Sequence, residues 1–297
     1  MPTPPTNAAP LVCCILVNWN GAADTLPCIA SLLQQDYSNL RIFVVDNGSS
    51  DDSVARIRST YPQVTVLETC KNLGFASGCN VGIRRAIHEG ADYIWLLNND
   101  TVAPPDTCTK LVTHAHAHPS AGLIGSVLYY MHAPTQVQAW GGGDLTTWLG
   151  HSTHFTAPTP LGRSSYLTFA SVLIPSEVIL KVGILYEGSF MYWDDSDYAL
   201  RVTRAGYSLS VAEDTAILHK EGGSTTRRNP VIDRYSTTAG LHFLRRHSPI
   251  PLVSMAIFPI VKFTNRILRG HWKNAQAVLA GISDYRRQRY IPYSETL

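Results

Sequence analysis

Four apolar runs recur early in the chain: LVCCILVN (11–18), LRIFVVD (40–46), QVTVLE (63–68) and DYIWLL (92–97). A strand that reads apolar without alternation must be covered on both faces, which is the condition of a strand inside a parallel sheet. The segments between the runs supply the cover. Asp24 and Thr25 can cap a helix that admits Pro27 in its second turn and lines up Ile29, Leu32 and Leu33 on one side. NGSSDDS (47–53) is a turn rich in capping residues ahead of VARIRSTY, and a further helix fits within 75–89. The order β-α-β-α-β-α-β predicts an α/β fold with an open, mostly parallel sheet flanked by helices. Ligands of such sheets bind beyond the carboxyl ends of the strands.

The polar residues sit at that edge. Strand one ends in Asn18-Trp19-Asn20-Gly21, strand two in Asp46-Asn47-Gly48, and the fourth in Asn98-Asn99-Asp100. Each cluster alone is ordinary turn chemistry. Three on one edge mark a ligand site, and Asp100, closing a buried run, is its most pointed member. No GxGxxG follows the first strand and no GxxxxGK[ST] occurs, so neither a dinucleotide fingerprint nor a P-loop is present. A phosphate ligand would instead be held through a divalent cation on carboxylate.

Beyond Asp100, residues 104–118 read as a helix; His114 and His118 share a face at its solvated end, with His116 between them. AGLIGSVLYY (121–130) is a strand. AWGGGDLTTWLGH (139–151) reads as a flexible loop, either closing over a ligand or resting on the surface with its tryptophans anchored in the core. YLTFASVLIP (166–175) reads as one buried strand and SEVILKVG (176–183) as a short helix with a glycine stop. SFMYWDDSDYALRVTRAGY (189–207) crowds Asp194, Asp195 and Asp197 at the start of an amphipathic helix. The helix dipole accounts for one acid there. Three beside Tyr192 and Trp193 repel, which raises at least one pKa and suits a general base. The sequence does not say which. A strand within 208–212 follows, and His219 ends the short apolar run in AILHKEGGST (216–225) before a Gly-rich turn.

Charge divides the chain. Residues 1–240 carry 15 Lys+Arg against 20 Asp+Glu, net −5, and residues 241–297 carry 9 against 2, net +7. A basic tail on a mildly acidic body fits an anionic surface or partner, or simply a solvated helical face. Residues 231–247 and 251–290 look helical. The tail from Pro251 has apolar runs broken by Pro259 and then by Lys and Arg. It is too broken to span a bilayer and reads either as an interfacial amphipathic element or as a helical hairpin packed on the domain. MPTPPTNAAP has no basic, apolar leader pattern, so the expected location is the cytoplasm. The six cysteines all fall at or before Cys108 and form no CxxC pair, so they read as small buried apolar residues rather than a zinc site.

The ordered set VNWNG, VVDNGSSD, NLGFASGCNVGI, LLNND, YWDDSDYALRVTRAGY and LHKEGGS resembles family 2 nucleotide-sugar glycosyltransferases of the GT-A fold. The likeness is to rhamnosyltransferase-like members that build cell-wall or O-antigen polysaccharides, and it spans about residues 11–247. It implies a GT-A domain over 11–247; the residues on either side read as a disordered N-terminus (1–10) and a helical C-terminal extension (248–297) able to sit on the inner face of the cell membrane.

The resemblance also implies roles. LLNND looks like the metal motif, with Asn98 in place of the usual first Asp; Asp100 would bind Mg²⁺ or Mn²⁺ against the donor diphosphate, and His219 would complete the metal shell. Asp46 looks like the acid that reads the nucleobase, with Asn18, Trp19 and Asn20 in the loop lining its pocket. Asn72, Gly74, Phe75, Gly78 and Asn80 match the stretch around nucleotide and sugar, and Asn98 and Asn99 sit with them. Asp195 falls at the base position, with Trp193, Asp194 and Asp197 about the sugar or acceptor. FASVLI carries Ala170-Ser171 where a glycine-containing pair is usual, which bears on sugar and acceptor fit. The implied reaction is an inverting transfer from a nucleotide-sugar donor to a hydroxyl of a glycan or lipid-linked glycan. Two other classes stay open: a catalytically silent nucleotide-sugar-binding or scaffold protein, and a sugar nucleotidyltransferase. The last normally has a basic Gly-rich loop after strand one, and VNWNGAADT has no Lys or Arg. Nucleic acid is not an expected partner, because the basic residues lie in an apolar tail.

Overall fold

The structure, a computed structural model, describes residues 9–220 and 229–288. Strand β1 (Val12–Asn18) explains the architecture. Its alternate residues Cys13 and Ile15 face one core, while Val12, Cys14 and Leu16 face a second. The first core takes Cys79 and Ile83 from helix α3; the second takes Cys28, Ile29 and Leu32 from helix α1. Burial on both faces is why the run carries no polar alternation.

Chain order runs β1, α1 (Ala22–Leu32), β2 (Leu40–Asp46), α2 (Ser53–Thr60), β3 (Thr65–Glu68), α3 (Phe75–His88), β4 (Tyr93–Leu97), β5 (Thr101–Val102) and α4 (Thr107–Ala117). It continues through β6 (Ala121–Tyr130), β7 (Ala133–Trp140), β8 (Gly142–Thr146), β9 (His151–His154), β10 (Ser165–Leu167), β11 (Ser171–Pro175) and α5 (Ser176–Val182). It closes with α6 (Asp194–Arg204), β12 (Ser208–His219), α7 (Pro230–His247), α8 (Pro251–Leu268) and α9 (Trp272–Gln288). The large sheet has the order β3-β2-β1-β4-β11-β6-β12-β5, with β7 on β6, and β10-β8-β9 form a small second sheet. Strands β3, β2, β1 and β4 are mutually parallel, as the early β-α repeat predicts; β11 then enters antiparallel.

Several expectations change. The run 166–175 is two strands in two sheets, β10 and β11, broken at Thr168–Ala170. The Gly- and Trp-rich segment is not a loop: it supplies the end of β7 and all of β8. A Cβ at Gly142 would lie 1.8 Å from Tyr166 O, and one at Gly143 would lie 1.6 Å from Thr153 O, so glycine is what lets these strands approach. Trp148 is exposed rather than anchored. Asp24 and Thr25 lie inside the first turn of α1, which starts at Ala22. β12 runs on to His219, and α8 continues through Pro259. Five cysteines are buried, and burial pushes the Cys13, Cys28 and Cys108 thiols up to about 12, but Cys70 is exposed. The expected disordered N-terminus (residues 1–8 of it), the Gly-rich turn after Lys220 and residues 289–297 lie outside the described residues.

The C-terminal helices form one packed unit, so the expected boundary after residue 247 falls between neighbours in contact. Its hub is Asp233 on α7, almost fully buried. Arg266 donates to it from Nε at 2.9 Å and Nη2 at 3.0 Å, Asn274 Nδ2 donates at 2.8 Å, and Lys262 Nζ stands 3.6 Å away. Burial alone would raise the Asp233 pKa; the bonds from Arg266 and Asn274 and the charges of Lys262 and Arg266 outweigh it and hold the carboxyl below the usual range. A depressed carboxyl contributes stability above its unfolded-state pKa and loses it as pH falls through the folded value. Asp233→Asn should therefore speed amide exchange in α8 and α9 at neutral pH by an opening free energy lower by about 3–5 kcal/mol. The difference should shrink on acidification. Equal exchange in both proteins would remove Asp233 as the hub.

Candidate active site

At the carboxyl edge of β1 and β2 the polar residues bind one another first. Asn18 Nδ2 donates to Asp46 Oδ1 at 2.8 Å; Ser49 donates to Asp46 from its Oγ at 2.6 Å and its backbone N at 2.9 Å. Thr25 Oγ1 donates to Asn18 Oδ1 at 2.7 Å and accepts from Asn99 Nδ2 at 2.8 Å. Asn47 Nδ2 donates to Gly74 O at 2.9 Å and Asn72 Oδ1 at 3.1 Å. These bonds fix the ends of β1, β2 and β4 and the approach to α3 as one rigid rim.

The rim bounds a cleft of about 610 Å³. Its lining includes Trp19, Asn20, Asn72, Gly74, Phe75, Asn98, Asn99, Asp100, Trp193, Asp194 and Asp195. The other expected residues stand behind it. Asn18 and Asp46 are buried in the rim network. A Cβ at Gly78 would meet Val17 Cγ1 at 3.1 Å, so this glycine lets α3 approach β1. Asn80 is a fastener: it donates to Leu185 O at 2.9 Å and accepts from Leu185 N at 3.0 Å. Asp197 turns away from the cleft. Of the pair 170–171, Ala170 borders the cleft, while buried Ser171 accepts from Trp95 Nε1 at 3.0 Å. The lining also includes residues to which the sequence reading assigns no site role. Asp24 comes from α1, Ser152, His154 and Tyr166 from the small sheet, Met191 and Tyr192 from the loop before α6, and Ser236 from α7. His114 and His118 stack at 4.1 Å, and neither lines the cleft.

Asp100 and His219 meet because β5 pairs antiparallel with the end of β12. His219 Nε2 lies 3.2 Å from Asp100 Oδ1 and 3.4 Å from Asn98 Nδ2. Gln138 Oε1, an acceptor only, is 2.7 Å from His219 Nδ1, so Nδ1 carries the proton there. In a neutral ring that leaves the Nε2 lone pair aimed at Asp100, the tautomer a metal-binding imidazole needs. Among the described residues no group of three or more His, Cys, Asp or Glu converges. Two protein ligands fit Mg²⁺ or Mn²⁺, which keep waters and take substrate phosphate oxygens.

The helix carrying the three aspartates begins under strain. Tyr192 (φ 77°) and Trp193 (φ 67°) are consecutive non-glycine residues in the left-handed region. Each costs of order 1–3 kcal/mol, and such outliers gather at functional sites. The three acids then part. Asp194 is buried; burial first, and then Asp195 and Asp197, push its pKa well above the ordinary carboxylate value, which favours its protonated form. Asp195 borders the cleft, and burial at the cleft floor raises its pKa against hydrogen bonds from Ser196 N at 2.6 Å and Ser196 Oγ at 3.1 Å. Both of those bonds go to Oδ1; Oδ2 has no partner among the described residues. Asp197 is depressed: burial opposes ionisation, but His247 and Arg246, bonded to its Oδ1 at 2.7 and 2.8 Å, win. Arg204 Nη1 donates to His247 Nδ1 at 2.8 Å, so His247 Nε2 is the nitrogen that donates to Asp197.

Two family models match the chain: Glycosyl transferase family 2 over residues 13–142, and Glycosyl transferase family group 2 over residues 93–275. An N-acetylglucosaminyl-diphospho-decaprenol L-rhamnosyltransferase of Mycobacterium tuberculosis is 24% identical over 225 residues, covering 67% of this chain and 72% of the relative. The dTDP-rhamnosyl transferase RfbF of Shigella flexneri is 22% identical over 255 residues, covering 80% and 81%. Two solved structures share the fold. The mannosyltransferase PcManGT of Pyrobaculum calidifontis, in complex with GDP-Man and Mn²⁺, aligns with a TM-score of 0.57 at 17% identity over 97% of this chain and 79% of that one. S. aureus TarS 1-349 in complex with UDP-GlcNAc aligns with a TM-score of 0.59 at 14% identity over 94% and 90%.

The Asp197 cluster makes a direct prediction. Asp197→Ala removes the buried carboxylate that Arg246, Arg201 and His247 share and should lower unfolding stability by about 3–5 kcal/mol in urea titrations at pH 7. Because the Asp197 pKa is depressed, the gap to the parent should narrow as pH falls through its folded value. A loss under about 1 kcal/mol would show that the cluster does not hold α6 to α7.

Proposed function

The chain belongs to glycosyl transferase family 2 and is rhamnosyltransferase-like, and on that premise we propose that it is an inverting, metal-dependent transferase. Its donor is a nucleotide sugar, with L-rhamnose from dTDP-rhamnose the first candidate. Its acceptor is a hydroxyl of a cell-wall, O-antigen or other polysaccharide, free or lipid-linked, met in the cytoplasm or at the inner face of the cell membrane. The observation that carries this reading is the separation of two acidic centres on one cleft. Asp100 lines the cleft just after β4, with His219 of β12 3.2 Å behind it, and Asp195 lines it at the start of α6.

Roles follow from the environments. The nucleoside end of the donor lies along Trp19 and Asn20, with Asn18 and Asp46 behind them, and Asn72, Gly74, Phe75, Asn98 and Asn99 flank the diphosphate and sugar. Asp100 and His219 would hold Mg²⁺ or Mn²⁺, whose charge would neutralise the diphosphate as it leaves the anomeric carbon. Asp195 takes the proton of the attacking hydroxyl on Oδ2, the oxygen its neighbours leave free. Its raised pKa makes it a stronger base than an ordinary carboxylate. Burial drives the neighbouring Asp194 toward its protonated form, which relieves charge beside Asp195. Trp193 offers the sugar an aromatic wall.

The test is a donor screen with the purified protein, Mg²⁺ or Mn²⁺ and a panel of sugar nucleotides including dTDP-rhamnose, reading released nucleoside diphosphate. Metal-dependent release from one donor, lost in Asp100→Ala, is expected. Donor binding without turnover, even with candidate acceptors and unchanged by Asp195→Asn, would replace the transferase with a silent binding protein. In the active case Asp195→Asn should lower kcat about 10²–10⁴-fold and move donor affinity only a few-fold. The acid limb of the rate profile should sit above the ordinary carboxylate range, because activity falls as Asp195 is protonated. Ser196→Ala removes the hydroxyl that stabilises the Asp195 anion, so it should move that limb to higher pH. A limb that moves down or stays would take the base role from Asp195.

A further inference from the structure

Helix α8 is built inside out. Its inward side carries Lys262 and Arg266, both held on buried Asp233, and Ser254, whose Oγ is 2.7 Å from Ser248 Oγ. Its outward side is apolar in two rows at helical spacing. Leu252, Ile260 and Leu268 are 85%, 63% and 81% exposed in one row, and Val253, Ile257 and Val261 are exposed in the next, with exposed Thr264 and Asn265 the polar positions in the two rows. A surface helix of a soluble domain shows the opposite pattern. The stripe is about 27 Å long, and an exposed apolar surface of that extent marks an interaction site.

Charge says what covers it. Arg245, Arg269, Lys273, Arg286 and Arg287 are exposed on α7, α9 and the turn between α8 and α9, within the segment of net charge +7. A second copy of this chain would bring the same positive charge against itself, whereas an anionic bilayer complements it. The helix has the length and hydropathy of a spanning segment, at 18 residues and a mean hydropathy of 1.2. Spanning would strip Lys262 and Arg266 from Asp233 and α8 from α7 and α9, so the helix lies in the interface plane instead. The stripe also adjoins the cleft. Phe258 of α8 packs on Gly240 of α7, where a Cβ would meet Phe258 Cζ at 2.6 Å and Trp193 Nε1 at 3.4 Å; Ser236, one turn earlier, lines the cleft.

We propose that α8 is an in-plane anchor that docks the protein on an anionic lipid surface through its outward face, with the arginines and lysines around it at the headgroups. Docked in this way, α7 stands between the lipid and the wall of the cleft that carries Trp193. An acceptor hydroxyl carried on a lipid then reaches Asp195 along the surface. The acceptor part rests on the transferase reading; the docking does not.

The experiment is flotation of the full chain with phosphatidylcholine vesicles, with and without phosphatidylglycerol, alongside light scattering for oligomeric state and release of nucleoside diphosphate from a soluble donor. The parent should float only with the anionic vesicles. Leu252→Asp and Ile260→Asp, both on the exposed side, should each weaken binding at least about tenfold. Arg269→Glu should weaken it about fivefold or more. All three should keep the parent melting temperature and donor turnover. Absence of flotation, or flotation that ignores these substitutions, overturns the proposal. So does a dimer that Ile260→Asp dissociates, which would give the face to a second copy. Flotation without turnover of any donor would leave the docking standing and remove the transferase.

Discussion

Asp197, a carboxylate buried among cations, decides where the other two acids of its helix can stand. Arg204 donates to His247, His247 donates to Asp197, and Arg246 donates to the same oxygen. This chain bolts the first turns of α6 to the end of α7. With the helix start fixed, the strained left-handed pair Tyr192–Trp193 can be sustained, and it turns Asp194 and Asp195 toward the cleft. Three aspartates within one turn thus part: Asp197 is held below the usual carboxylate range by its cations, burial pushes Asp194 well above it, and Asp195, raised at the cleft, is the group proposed as the base. Environment rather than residue type makes the assignment.

The other wall of the cleft follows from the two-sided burial of the sheet. With helices on both faces of β1, β2 and β4, polar side chains have room only at the strand ends. There they are tied into a network before any ligand arrives: Asp46 to Asn18 and Ser49, Asn18 to Thr25, Thr25 to Asn99. A rim held this way is pre-organised, so a ligand entering the cleft need not first order it. The same logic holds at His219, where Gln138 fixes the ring's tautomer.

The sheet half of this arrangement is legible in the sequence because its signals are local. Continuous apolar runs gave the strands, and Asn18, Asp46 and Asp100 each fall where a run stops. Legibility ends where function depends on distant contacts. That Asp197 is an anchor follows from Arg246 and His247, half a hundred positions on, and no spacing within DDSD distinguishes it from Asp195. His154 and Tyr166 reach the cleft through the small sheet, whose glycines read as a loop because close strand approach and flexibility use the same residue. Gln138 carries no motif at all. The apolar pattern of α8 is plain in the sequence, but that its charged residues face inward is visible only once Asp233 is placed.

The most direct test of the central claim, that Asp100 and His219 hold a cation against a donor diphosphate, is a crystal of the protein grown with Mn²⁺ and a nucleoside diphosphate, with anomalous data at the manganese edge. The account predicts one anomalous peak in coordination range of Asp100 and His219 Nε2, at roughly 2.0–2.2 Å, with diphosphate oxygens completing the shell. A diphosphate ordered in the cleft with no anomalous peak beside these residues, or a peak elsewhere, would contradict it.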